Sequence, residues 1–259
     1  MPAISMKYEE YKDIYFKLRK PSDIETLAES TGLDRELLLV MYTQRTVRDA
    51  TRRYHLVKGQ TNNILKKWKS GKSIVAVANE LNFPPVLLAM LIYQADGMSR
   101  KTFWKYVRDP EECSSQRIKK EIVKINEGDI IYSPKGMEVQ EKRGKWGEKQ
   151  LYEWLDIHGI KYRTEVDLRG THTKTPDALL DRPIKLNGIV THWIESKASF
   201  GDEIELRKNV RRQLTPYTQL FGNGSVVYWF GYIEGIEPPA GITVFGREFS
   251  EMMPIIMHG

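Results

Sequence analysis

Cysteine is nearly absent from this 259-residue chain: Cys113 stands alone, which excludes an internal disulfide and any zinc site built on clustered cysteines. Histidine is scarce too. His55, His158, His172, His192 and His258 are scattered without the i, i+4 spacing of a helical zinc motif, which points any metal to oxygen ligands. Long apolar runs are missing: the longest, Val86 to Tyr93, falls far short of the roughly 20 residues of a bilayer span. The stretch Met1 to Glu10 carries two Glu and no apolar core, so it does not read as a secretory leader. The expectation is an intracellular protein, cytoplasmic or, in a eukaryote, nuclear, with no membrane partner.

What is present is ordinary in bulk and uneven in distribution. A hydrophobic share of 41% and a charged share of 29% suit a globular chain. The length exceeds the roughly 100 to 200 residues of one domain, so two units are expected. Residues 1–109 hold 19 Lys and Arg against 12 Asp and Glu, whereas the rest holds 21 against 22. A basic module joined to one with a near-balanced charge is the pattern of a nucleic-acid-binding part beside a catalytic part. A solvated lysine-rich surface is the plainer alternative.

The first part reads as helical. Helices are predicted over Tyr8 to Arg19, Asp34 to Leu56 and Asn62 to Lys69, with more to about Val107. Two segments match at an offset of 50: Ile24 to Leu33 lies over Ile74 to Phe83, and Leu37-Leu38, Met41 and Gln44 meet Leu87-Leu88, Leu91 and Gln94. Each copy places a short helix with a small Ala before a Gly or Asn, then a second apolar-faced helix, the layout of a helix-turn-helix. Arg45, Arg48, Arg52 and Arg53 follow the first copy, and Lys66, Lys67, Lys69 and Lys72 precede the second; all are candidates for phosphate contacts. The second helix of the second copy, Pro85 to Gln94, is almost wholly apolar and is expected to be buried. A paired-helix scaffold without groove contact is the alternative.

Residues 110–143, with Pro110, Gly128, Pro134 and Gly136, read as a connector, which leaves 1–109 as the helical domain and 144–259 as the second. The second part changes period. A helix over Glu148 to Ile157 precedes strands over Tyr162 to Leu168, Ala178 to Asp181, Ile189 to Ile194, Ser225 to Tyr232 and Ile242 to Phe245, with a helix-like interval at Asp202 to Phe221. The fold class is therefore α + α/β, an all-helical part followed by a mixed β-sheet flanked by helices.

Chemistry concentrates in Thr175-Pro176-Asp177 and Trp193-Ile-Glu195-Ser-Lys197. Glu195 and Lys197, two apart on a strand, point to one face. Asp177 shares that face when it lies opposite Glu195, a pairing sum of 372. A two-residue Asn187-Gly188 turn would pair Leu186 with Ile189, an odd sum that puts Asp177 on the other face, so a wider loop across Pro183 to Asn187 is predicted. Two carboxylates this close repel unless a cation lies between them, which selects Mg²⁺ or Mn²⁺ as cofactor. Such an ion activates water and neutralises a phosphodiester, with Lys197 offsetting the developing charge. Glu148, opening the preceding helix, is a further metal-ligand candidate, with a solvated first-turn Glu as its alternative.

Asp177 with Glu195-x-Lys197 resembles the PD-(D/E)xK, or restriction-endonuclease-like, superfamily. The longer strings Lys174-Thr-Pro-Asp177 and Trp193 to Glu203 resemble the TPD-motif family, whose animal member is a codanin-interacting nuclease; that protein partner need not carry over. The resemblance implies a restriction-endonuclease-like fold, divalent-metal-dependent cleavage of nucleic acid, most readily DNA, and roles for Asp177, Glu195 and Lys197, with Glu148 matched less directly. A homodimer is an expectation by analogy with nucleases that cut two strands. Gln213-Leu-Thr-Pro-Tyr217 resembles the Gln-x-x-x-Tyr motif of RecB-like nucleases, although Pro216 departs from a clean helix and Thr215 can cap a new one. A core Tyr beside an incidental Gln is its alternative. Arg207, Lys208, Arg211 and Arg212 form a basic stripe, and Lys174 adjoins the motif, all as substrate contacts. A scaffold that binds without cutting, RNA cleavage and exonuclease action all remain open.

Overall fold

The computed structural model describes residues 5–257, so His258 lies outside the described residues. Strand β1 (Ser5–Met6) and helices α1 (Tyr8–Lys17), α2 (Ser22–Thr31) and α3 (Arg35–Gly59) open the chain. Helices α4 (Thr61–Lys69), α5 (Ile74–Leu81), α6 (Pro85–Ala95), α7 (Arg100–Arg108), α8 (Gln116–Gly128) and α9 (Pro134–Ile157) follow. The remainder is β2 (Tyr162–Arg163), α10 (Glu165–Leu168), β3 (Ala178–Leu186), β4 (Ile189–Lys197), α11 (Glu203–Asn209), α12 (Thr215–Phe221), β5 (Gly224–Tyr228), β6 (Tyr232–Ile233), β7 (Ile242–Phe245) and β8 (Ile255–Ile256). This is an α+β protein with an N-terminal helical region and a C-terminal mixed sheet flanked by helices.

The division into units differs from the expected boundaries at 109 and 144. One unit is residues 43–142; the other combines 1–42 with 143–259, and both divisions fall inside a helix, α3 and α9. Three contacts place the first described residues with the sheet unit. β1 pairs in parallel with β6, and Tyr11 of α1 stacks on Phe200 at 5.4 Å while its hydroxyl donates to Asp202 Oδ2 at 2.6 Å. The expected connector is instead helical and part of a core. Ile122 and Ile125 of α8 are fully buried, Asp129 accepts from the N–H groups of Val86, Ile131 and Tyr132, and Pro134 is the first residue of α9. The residues that suggested a loop are helix punctuation, since Pro fits a helix start and Gly136 lies where a Cβ would come within 2.5 Å of the Ile130 carbonyl oxygen. The helix predicted from Glu148 is thus the C-terminal part of α9.

In the helical unit, Gly32 and Asn82, also 50 apart, end α2 and α5 in the left-handed conformation, at φ of 71° and 45°. The offset repeat therefore corresponds to two helix pairs with like turns, although α2 belongs to the other unit. Helix α6 is buried almost throughout, as its composition led us to expect. No single helix among the described residues is long and apolar enough to cross a membrane; α5 and α6 qualify only as a pair and are bent by 117°.

In the other unit, the sheet runs β2-β3-β4-β5-β7, with β8 also on β3. β3 and β4 are antiparallel, and β4, β5 and β7 are parallel. The strand predicted over 162–168 stops after Arg163, because Thr164 and Asp167 form a capping box that starts α10. The strand predicted to Tyr232 turns away after Tyr228, at Gly231 with φ of 91°.

The hairpin corrects a further expectation. The turn is the two-residue Asn187-Gly188, both at positive φ, and Leu186 does pair with Ile189. The register then shifts: the pairing sum is 375 near the turn and 372 at Leu179–Trp193 and Ala178–Ile194. Residues 180–183, which include Pro183, stand against His192 alone, so the strand bulges there, and 184–186, inside the expected wide loop, are regularly paired. The odd shift restores the parity that the turn alone would have broken.

Close approach between β4 and β5 depends on Gly224, where a Cβ would lie 2.1 Å from the Trp193 indole, which is fully buried. Gly224→Ala should destabilise the protein by about 3 kcal/mol, the upper end of overpacking costs. Urea denaturation measures this, and an unchanged midpoint would contradict the packing described.

Candidate active site

Asp177 lies immediately before β3, opposite Glu195, and the two are tied through each other's strand. The Asp177 N–H donates to Glu195 Oε2 at 3.2 Å, and the Ser196 N–H donates to Asp177 Oδ2 at 2.8 Å. Lys197 Nζ donates to Glu195 Oε1 at 2.5 Å, as expected for residues two apart on one strand face. Glu195 is 1% exposed, and Asp177 and Lys197 are half-buried.

Burial decides the electrostatics. The penalty for a charged group in the interior is several kcal/mol, and each charge-assisted hydrogen bond returns only about 1.5–3. Asp177 is pushed up to about 8, first by burial and then by the Glu195 charge, with Glu148 adding; Lys197 and the Ser196 N–H oppose. Burial also raises Glu195, against the pull of Lys197. Burial disfavours the Lys197 charge, but Glu195 and Asp177 outweigh it and its pKa rises, so Lys197 stays a cation.

Glu148 is half-buried on α9, and its charge is felt at Asp177 and at Tyr152. Among the described residues no group of three or more His, Cys, Asp or Glu is arranged to hold a metal. Helix α9 comes close to the sheet at Gly147, where a Cβ would be 2.8 Å from Trp229 and 3.1 Å from Ser196 Oγ.

After β4, α11 leads into a π-helical turn, Val210–Leu214, and on into α12. Thr215 does not cap a new helix; the wider turn admits Pro216 into a continuous helical run. Pro216 cannot donate to the Arg212 carbonyl, and Lys174 Nζ reaches that oxygen at 3.5 Å. Gln213 Nε2 donates to the Tyr217 hydroxyl at 3.4 Å, and that hydroxyl donates to the Thr175 carbonyl at 3.0 Å. Tyr217 thus reaches the main chain of the Thr-Pro-Asp segment with Gln213 bonded to its hydroxyl, and Tyr217, 3% exposed, is also a core residue against Trp193.

Three residues of the site escaped the sequence reading. Tyr152, four after Glu148 and so on its helix face, donates to the Asp177 carbonyl at 3.2 Å. Ser196 supplies the N–H for Asp177, and its Oγ accepts from Trp229 Nε1 at 2.8 Å. The spacing from Glu148 was the available signal for Tyr152; nothing in the sequence marked Ser196 or Trp229.

Lys174, Arg207, Lys208, Arg211 and Arg212 are exposed on the sheet unit, Lys208 paired with Glu205 at 2.9 Å. In the helical unit Arg53 is committed to structure, donating to the carbonyls of Asn82 and Leu81 at 2.8 and 2.6 Å. Arg45 pairs with Asp49 at 3.7 Å, Arg52 is exposed and also paired with Asp49, and Arg48 is half-buried. Lys66 and Lys67 are exposed on α4; Lys67 pairs with Glu80 at 3.6 Å, Lys69 with Asp96 at 2.7 Å, and Lys72 with Glu80.

The architecture and site are those of a mixed-sheet domain carrying an Asp and a Glu-x-Lys on adjoining strands. Residues 114–247, just over half of the chain, match the family described as "Protein of unknown function TPD sequence-motif", and the chain belongs to that family. CDAN1-interacting nuclease 1 of Xenopus laevis is 31% identical over 172 residues, covering 63% of this chain and 57% of that protein. The protein of the same name from Homo sapiens is 30% identical over 172 residues, covering 63% and 61%. Uncharacterized protein L539 of Acanthamoeba polyphaga mimivirus is 31% identical over 115 residues, 42% of each chain. The chain thus spans about three fifths of the length of these animal relatives. No solved structure matches it.

A carboxyl whose pKa is raised in the folded state stabilises that state fully below its unfolded value, about 4, and the contribution is lost as pH rises through about 8. In EDTA, the urea midpoint should therefore fall between about pH 5 and pH 8, and Asp177→Asn should flatten that fall. Parallel profiles for wild type and variant would contradict the assignment.

Proposed function

We propose that this protein is a divalent-metal-dependent nuclease of the PD-(D/E)xK type that hydrolyses phosphodiester bonds of DNA. The observation that carries the reading is the Asp177–Glu195 pair, two carboxylates held together by main-chain hydrogen bonds with Lys197 beside them. The names of the animal relatives agree with it.

The donor set suits a hard cation. Mg²⁺ takes one or two protein carboxylates and leaves its other positions to water and phosphate oxygens, and a pair suffices for that. Asp177 and Glu195 would hold the ion, with Glu148 acting through water. When bound, such an ion supplies charge neutralisation at the phosphodiester and a lowered pKa for the attacking water. Lys197, a cation anchored on Glu195, would orient the attacking water and offset charge developing on the phosphorus oxygens. Lys174, Arg207, Arg211 and Arg212, exposed on the same unit, hold flanking phosphates.

The helical unit contributes grip. Residues 43–142 carry 19 Lys and Arg against 11 Asp and Glu, and the other unit 21 against 23, so the structural boundary sharpens the asymmetry seen in the sequence. Positive charge on helices α4, α7 and α8 gives sequence-independent affinity through counterion release.

Two experiments test this. Labelled duplex, single-stranded, flapped and junction DNA should be cut with Mg²⁺ or Mn²⁺ and not with EDTA, and Asp177→Ala or Lys197→Ala should reduce cutting by at least about 100-fold. Metal-independent cutting, or full activity in both variants, would overturn the reading. Lys66→Ala with Lys67→Ala should lower the slope of log K against log salt by about 1 to 2, since each lost phosphate contact removes roughly 0.9. An unchanged slope would remove this helix from the DNA contact.

A further inference from the structure

The segment Thr175-Pro176-Asp177 is held from both sides of the sheet by two phenolic hydroxyls. Tyr217 of α12 donates to the Thr175 carbonyl at 3.0 Å, and Tyr152 of α9 donates to the Asp177 carbonyl at 3.2 Å. The helices lie on opposite faces of β4. Tyr217 packs on Trp193 with ring centroids 5.3 Å apart, whereas α9 reaches Ser196, and residues three apart on a strand face opposite ways. Between the two bonded carbonyls stands Pro176, which is buried and has no N–H to satisfy. Proline also confines Thr175 to extended backbone, leaving the rotation about Asp177 as the freedom to be removed. Burial, with the charges of Glu195 and Asp177 adding, keeps the Tyr217 hydroxyl protonated and so a donor.

We propose that Tyr152 and Tyr217 form a clamp that sets the Asp177 carboxylate opposite Glu195 by fixing the main chain on either side of Pro176. They are positioning residues, since their bonds go to carbonyls and not to the carboxylates. Gln213, bonded to the Tyr217 hydroxyl, steadies one arm. The catalytic consequence rests on the nuclease reading; the positional claim does not.

The test uses the full chain with Tyr152→Phe and Tyr217→Phe made separately, each removing one oxygen and no packing. Without metal, amide exchange followed by NMR at Ser196, whose N–H donates to Asp177 Oδ2, reports whether the carboxylate has moved. Exchange at Ser196 should quicken in either variant while Val226 and Val227 on β5 keep their rates. Mn²⁺ affinity, measured by electron paramagnetic resonance, should weaken about tenfold, the lower end of the effect of groups that orient metal ligands. Cutting at saturating Mn²⁺ should fall less than affinity. Unchanged exchange at Ser196 in both variants would overturn the clamp, as would equal acceleration at Ser196 and along β5, which marks a merely structural role. Quickened exchange at Ser196 alone, with no Mn²⁺ bound even by wild type, would support the clamp and overturn the nuclease reading.

Discussion

Two carboxylates held side by side in the interior are the constraint around which the sheet unit is built. Asp177 accepts from the residue after Glu195, and Glu195 accepts from the Asp177 N–H, so each acid is fixed by the strand of the other. Such a pair is costly in isolation, and burial together with mutual repulsion raises Asp177 to about 8. A fold keeps this arrangement only when its surroundings over-determine it. Here they do: Lys197 bonds Glu195, Tyr152 and Tyr217 hold the main chain, and Gly147 lets α9 close over Ser196 and Trp229.

The geometry of the pair was legible because side-chain parity on a strand is simple arithmetic. Asp177 opposite Glu195 demands a sum of 372, and the ladder at Leu179–Trp193 has that sum. How the chain reaches it was not legible. Asn187-Gly188 signals a two-residue turn plainly, and that turn forms; the parity is recovered further along, at 180–183, by a bulge. Local turn chemistry and the long-range demand for one face conflicted, and the bulge reconciles them.

Elsewhere the misreadings share a cause. Gly128, Pro134 and Gly136 suggest a loop because Gly and Pro usually interrupt helices, yet Pro134 starts α9 and a Cβ at Gly136 would meet the Ile130 carbonyl, a close approach in the turn before α9 that composition cannot show. Helices α1 and α2 resemble in composition those of the next hundred residues, so no change of period marks their place with the sheet unit; Tyr11 and strand β1 do that through long-range contacts. The offset repeat did correspond to like turns at Gly32 and Asn82, because a left-handed cap restricts residue type. Charge alone could not sort the cations: Arg53 ends α5 by bonding two carbonyls, whereas Lys66 faces outward.

The central claim of the proposed function is that Asp177 and Glu195 hold a divalent cation; burial and the Glu195 charge favour the protonated form of Asp177, whose proton such an ion would displace. Isothermal titration calorimetry of Mn²⁺ binding near pH 7, repeated in buffers of different ionisation enthalpy, measures this directly. We expect release of about one proton per ion, declining as pH rises past about 8 and lost in Asp177→Asn. Binding with no proton release, or the same release from the Asn variant, would contradict the account.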